Sequence, residues 1–202
     1  MLVFLDFEAS SLARHSYPIE VAWVFEDGAC ESHLIRPARG WQDWDAAAEA
    51  IHHIPREQLV REGTPHDALA RRMVEQLSGH DLTASAPSWD GKWLSTLLRA
   101  ANLPRHTLRL RDTEAVQRET MRNILLDRIA AEHLEAEIER LRRAAIAALP
   151  RVPTAHRALA DAQAERARWI AARDAAEQFP VTSGHANNAK IRIHASIIAP
   201  VR

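Results

Sequence analysis

The chain opens on an apolar run, Leu2-Val3-Phe4-Leu5-Asp6-Phe7-Glu8, that only two carboxylates interrupt. It reads as a buried strand over residues 2–7, and a second strand, Ile19 to Phe25, follows. Asp27-Gly28 is a tight-turn signal, so residues 29–36 return as a third strand that Pro37 ends. Helical patterns come next: Asp45 to Ala50, a short piece after Pro55, and Pro65 to Leu77, with Leu69, Met73 and Leu77 at helical spacing. Leu82 to Ala86 reads as a fourth strand. The helix behind it carries Trp93, Leu94, Leu97 and Leu98 on one face, and Thr107 to Leu110 is a plausible fifth strand.

From Asp112 to Leu149 the pattern is helical throughout, with Ile124, Leu125, Ile129, Leu134, Ile138 and Leu141 recurring and a charged opposite face. Pro150 and Pro153 break it, Thr154 is a candidate N-cap, and a last helix runs from about His156 to Gln178. Strands first and helices interleaved afterwards predict one α/β domain over residues 1–178, built on a mixed five-stranded sheet flanked by helices. Residues 179–202 differ in character. They are expected to be a C-terminal tail, disordered or partner-binding, with a weak strand signal at Ile191, Ile193, Ile197 and Ile198.

Composition narrows the class. With 202 residues, 47% of them apolar and 26% charged, the chain suits one soluble globular domain. No apolar stretch approaches the ~20 residues of a bilayer crossing, and no basic-then-apolar leader precedes the first strand. Cys30 is the only cysteine, which excludes an internal disulfide, suits a cytoplasmic location and reads as a packed or strand-edge thiol. The net charge of −1 gives no broad attraction to polyanions, so a nucleic-acid partner would need local basic patches and metals. Only Lys92 and Lys190 are lysines, leaving 24 of the 26 basic residues as arginines, a skew that coding bias explains as well as phosphate binding does.

The chemistry starts at the first strand. On a strand, Asp6 and Glu8 at i and i+2 share one face, where two partly buried carboxylates repel each other and lose hydration. A divalent cation offsets that cost, and a strand end facing water is the alternative. Asp90 follows the fourth strand in Trp89-Asp90-Gly91-Lys92-Trp93. His156 and Asp161 would point about 140° apart in one continuous helix. They converge only if His156 lies on the loop or first turn ahead of the helix.

Asp6-x-Glu8 on a first strand, an Asp after the fourth, and His-x-x-x-x-Asp opening a late helix resemble the DEDDh 3′→5′ exonucleases of ribonuclease H-like fold, the family of ribonuclease T, oligoribonuclease and polymerase proofreading subunits. Pro18-Ile19-Glu20-Val21-Ala22 and Ile51-His52-His53-Ile54 add to the likeness, and His156-Arg157-Ala158-Leu159-Ala160-Asp161-Ala162 is its closest stretch. The resemblance implies two divalent cations, Mg²⁺ or Mn²⁺, with Asp6 bridging both. Glu8 and Asp161 would hold the ion that carries the attacking water, Asp90 would support the second, and His156 would be the general base. It also implies an apolar contact to the terminal base, for which Phe7 and Leu12 are candidates with core packing as the alternative. Lys92 and Arg157, near the ligands in sequence, are candidate phosphate contacts.

Two places depart from the family: Glu8-Ala9-Ser10-Ser11-Leu12 lacks the usual Thr and Gly, and Ala86 stands where an Asn is frequent. Both bear on how the terminal nucleotide is gripped. The expected partner is the 3′ end of a single-stranded RNA or DNA, with a second copy of the chain or a larger enzyme as a further partner and no membrane. The competing expectation is a non-catalytic nucleic-acid or protein-binding module on the same fold, disfavoured by the retention of all five chemical residues.

Overall fold

The computed structural model describes residues 1–150 and 156–180. Three antiparallel strands come first: β1 (Leu2–Ala9), β2 (Pro18–Phe25) and β3 (Cys30–Arg36). The β2–β3 turn needs its glycine, since Gly28 has φ +100° and the Asp27 carboxylate accepts from the Ala29 amide. Helices α1 (Ala46–His52) and α2 (Arg56–Glu62) lead to a two-residue strand, β4 (Thr64–Pro65), which pairs with the end of β3. A Cβ at Gly63 would stand 2.5 Å from the Arg36 backbone nitrogen, so this close approach is open only to glycine.

Helix α3 (His66–Leu77), strand β5 (Asp81–Ala84), helix α4 (Pro87–Ala100) and strand β6 (Leu110–Asp112) complete the sheet, in the order β4-β3-β2-β1-β5-β6. The sheet therefore has six strands, the short β4 being the addition to the five expected. β5 and β6 run parallel to β1 and to each other. β6 starts later than its apolar residues suggest, because a turn from Pro104 to Thr107 takes up the preceding residues.

Alternation along β1 divides the core. Val3, Leu5, Phe7 and Ala9 pack with Val21 and Trp23 against Leu69, Met73, Trp93, Leu94, Leu97 and Leu98 of α3 and α4. Phe4 points the other way, to Val116 of α5 (Thr113–Leu125) and Trp169 of α7 (Ala158–Glu177). Between α5 and α7 in sequence comes α6 (Ala131–Ala147), so the pattern from Asp112 to Leu149 is two helices. The break allows Met121 and Leu125 to meet Ile138, Ala172 and Ala176 in one apolar cluster, which a straight helix could not do. Arg128, in the break, donates to the Ala176, Glu177 and Phe179 carbonyls at 3.0–3.3 Å and ties the turn to the end of α7. Cys30 begins β3 and is exposed, not packed. The expected weak strand at 191–198 and the N-cap at Thr154 lie outside the described residues. No helix among the described residues is long and apolar enough to cross a membrane.

Candidate metal centre

The face of β1 that carries Phe4 also carries Asp6 and Glu8, both partly buried. α7 crosses this face. Its Trp169 lies 5.8 Å from the Phe4 ring and donates from Nε1 to Thr120 Oγ1 at 3.0 Å, which sets the helix so that Asp161, in its first turn, comes down on the strand acids. One carboxylate oxygen each from Asp6, Glu8 and Asp161 lies within 4.8 Å of the others. Residues from the two ends of the described chain thus meet at the carboxyl end of the central strand.

Electrostatics mark the cost of this convergence. Burial, reinforced by Asp90, Glu8 and Asp161, pushes the Asp6 carboxyl up to about 9. Burial and the neighbouring Asp161 and Glu20 raise Glu8 to about 8, and burial also raises Asp161, which His156 and Arg168 partly counter. Asp90, in the first turn of α4, stands outside the tight trio. It is the strongest charged neighbour of Asp6, it is 2% exposed, and its Oδ2 has no hydrogen-bond partner. Burial raises Asp90 to about 7 although backbone amides, including that of Phe7, act in the opposite direction. Clustered, desolvated carboxylates with one unsatisfied buried oxygen are a hard-donor set that fits Mg²⁺ or Mn²⁺.

His156 precedes α7, exposed and in the left-handed region at φ 47°, near enough to Asp161 for their charges to interact. Arg157 Nε and Nη2 reach the buried Glu20 carboxylate at 3.0 and 2.7 Å. Lys92 Nζ donates to the Ala13 carbonyl at 2.7 Å and to Ser16 Oγ at 2.9 Å, over the ring of Trp89. Phe7 is 4% exposed and packs in the core, the alternative expected for it, because the alternation that puts Asp6 and Glu8 on one face puts Phe7 on the other. Leu12 is 70% exposed in the loop between β1 and β2. Trp93 is buried with Nε1 on Ser16 Oγ, and Trp89 is partly exposed.

The Ser10-Ser11 departure has a local solution. Both hydroxyls donate to Asp43, Ser10 Oγ accepts from the Tyr17 amide, and Ser11 Oγ accepts from the Ala13 amide, so the β1–β2 loop is braced within itself and to the segment before α1. Beyond it, a cavity of about 460 Å³ lies between this loop and α4, lined by Arg14, His15, Trp41, Thr96 and Arg99. His52 and His53 diverge as adjacent residues must. His52 is buried with Nδ1 on the Ile54 amide, and His53 caps α1.

Two acids at the centre were given no role from the sequence. Glu165, one turn after Asp161, is buried beside the centre and ion-paired with Arg168. Its i+4 spacing from Asp161 was the available signal. Glu20 is 2% exposed on β2, directly opposite Glu8.

The same arrangement of strands and helices occurs in exonuclease I of E. coli. Its zinc-bound complex with single-stranded DNA matches with a TM-score of 0.59 at 19% identity, over 82% of this chain and 38% of that one. This chain has the fold of one part of exonuclease I. The complex of E. coli exonuclease I with a dT13 oligonucleotide gives 0.60 at 16% identity, over 86% and 41%, and a further exonuclease I structure gives 0.59 at 17% identity, over 84% and 40%. The chain thus spans about two fifths of exonuclease I. No protein-family model and no curated protein matches it. The likeness bears out the mixed, helix-flanked sheet of ribonuclease H-like type.

Proposed function

We propose that the protein is a divalent-metal-dependent 3′→5′ exonuclease that hydrolyses single-stranded nucleic-acid ends to nucleoside 5′-monophosphates. The observation that carries this reading is the convergence of Asp6, Glu8 and Asp161 beside the unsatisfied carboxylate of Asp90. The solved complexes of exonuclease I with single-stranded DNA, on the same fold, support the substrate class.

Asp6, Glu8, Asp90 and Asp161 would hold the cations, Asp6 centrally. Bound Mg²⁺ or Mn²⁺ supplies Lewis-acid stabilisation of charge on the scissile phosphate and makes water more acidic. His156, exposed at the rim and beside Asp161, takes the proton from the attacking water. Leu12 offers the exposed apolar contact for the terminal base. Upstream nucleotides lie in the cavity beside α4. Arg14 and Arg99 form no ion pair among the described residues, the one acid in the lining, Asp43, accepts from Ser10 and Ser11, and the partly exposed Trp41 offers a stacking face.

The test is 5′-labelled single-stranded DNA and RNA, each with Mn²⁺ or with EDTA. Stepwise shortening from the 3′ end with release of 5′-monophosphates, lost in EDTA and in Asp6→Asn, is the expected result, and the two nucleic acids assign the sugar preference. Binding of either strand without any metal-dependent release would overturn the enzyme in favour of a binding module.

A further inference from the structure

Outside the cation-binding carboxylates, one buried acid has every acceptor position committed to a single segment of chain. Glu20 sits in mid-β2, in register with Glu8 across the antiparallel pair. Like charges directly opposite each other destabilise a sheet, and a buried carboxylate needs compensation. The compensation is local and complete. Oε1 accepts from Arg157 Nη2 at 2.7 Å and from Nε at 3.2 Å, while Oε2 accepts from Arg157 Nε at 3.0 Å and from the Ala158 amide at 3.0 Å. A carboxylate so occupied has no oxygen left for a cation, although it lies beside Glu8.

What it holds is the start of α7. The residue before that helix, Arg157, supplies no side-chain cap of its own. Glu20 provides the missing acceptor from another strand and places a negative charge at the helix N-terminus, where the dipole favours it. Immediately upstream stands His156, exposed and in the left-handed region, which is uncommon for a residue with a side chain.

We infer that Glu20 is a positioning residue: by clamping Arg157 and Ala158 it fixes the imidazole of His156 over the reacting water. This rests on the proposed role of His156 as general base. Glu20 itself touches neither cation nor substrate. Its effect passes through the backbone of two residues, so it is conditional on the imidazole being present.

A double-mutant cycle tests that condition. Glu20→Gln keeps the volume and an acceptor for the Ala158 amide but loses the charge pair with Arg157; Glu20→Ala loses both. On a dinucleotide at saturating Mn²⁺, Glu20→Ala is expected to lower kcat about 10²-fold, the scale on which misplaced catalytic groups act, with Glu20→Gln intermediate and KM little changed. In a His156→Ala background the same Glu20 substitutions should cost less than about twofold. Faster amide exchange in the peptide spanning 157–161 should accompany the loss.

An equal loss in both backgrounds would overturn the inference and make Glu20 a strut for the domain alone. Wild-type turnover in both Glu20 variants would overturn it as well. Wild-type turnover in His156→Ala alone would instead remove the general-base role, and the clamp's purpose with it.

Discussion

A carboxylate oxygen of Asp161, on α7, lies within 4.8 Å of one of Asp6, on β1, although the two residues stand near opposite ends of the described chain. Neither has a basic partner within ion-pair distance among the described residues, so the packing of α7 on the sheet brings the pair together and the cost appears as raised carboxyl pKa values. Such a pair has a measurable signature in the metal-free protein.

That signature is a pH dependence of stability. Asp6 at about 9, Glu8 at about 8 and Asp90 at about 7 keep protons in the folded state that the unfolded chain has already released. Between pH 7 and 9 the folded state binds more protons than the unfolded one, so stability falls as pH rises. Carboxylates held low by arginines, such as Glu139 at about 2, are ionised in both states there and add no slope. The melting temperature in EDTA should drop from pH 7 to pH 9 and recover with saturating Mg²⁺. A flat or rising profile in EDTA contradicts the cluster.

Asp6→Asn removes the most strongly perturbed of these charges. We expect a higher melting temperature than wild type in EDTA at pH 8, a smaller stabilisation by Mn²⁺, and loss of nearly all nucleotide release. Differential scanning fluorimetry with and without metal separates the two stability effects, and full activity in this variant would remove the proposed mechanism.

His156→Ala should lower turnover on the order of 10²–10⁴-fold while leaving KM and Mn²⁺ affinity close to wild type, because the imidazole acts on water and not on the cations. The wild-type rate should climb with pH and flatten, and the variant should lose that limb. Profiles from pH 5 to 9 at saturating Mg²⁺ decide the point. An unchanged profile would leave His156 a structural residue.

Trp169 is 3% exposed between Phe4 and Thr120. Trp169→Ala should cost about 3–5 kcal/mol of stability, read from urea unfolding, as large-to-small core substitutions do. Because the same ring seats α7, the variant should also bind Mn²⁺ more weakly at a temperature where it remains folded. Unaltered metal affinity would show that Asp161 is positioned without it.

The Arg14→Ala, Arg99→Ala double variant should leave dinucleotide hydrolysis near wild type and raise KM for a ten-nucleotide strand several-fold. The salt dependence of binding that strand should become shallower by about two phosphate contacts. An equal effect on both substrates would place the arginines at the scissile phosphate and not in the upstream cavity.

Much of the fold was legible in the sequence because it is governed by local periodicity. Alternation along Leu2–Glu8 determined that Asp6 and Glu8 share a face, and Asp27-Gly28 determined the hairpin. The prolines before His156 required a break there, and α7 does begin just after it, at Ala158. The order of the acids and histidine along the chain suggested the centre before any contact was known. What only the tertiary structure decided depends on surfaces that meet from distant segments. The helix expected from 112 to 149 breaks at 126–130 without a glycine or proline, because burying Met121 and Ile138 together requires the chain to fold back. Phe7 went to the core because α3 and α4 cover its face of the sheet. Glu20, a polar interruption in a strand pattern, acquired its partners only when α7 crossed β2, since hydrogen bonds between residues so far apart in sequence leave no periodic trace.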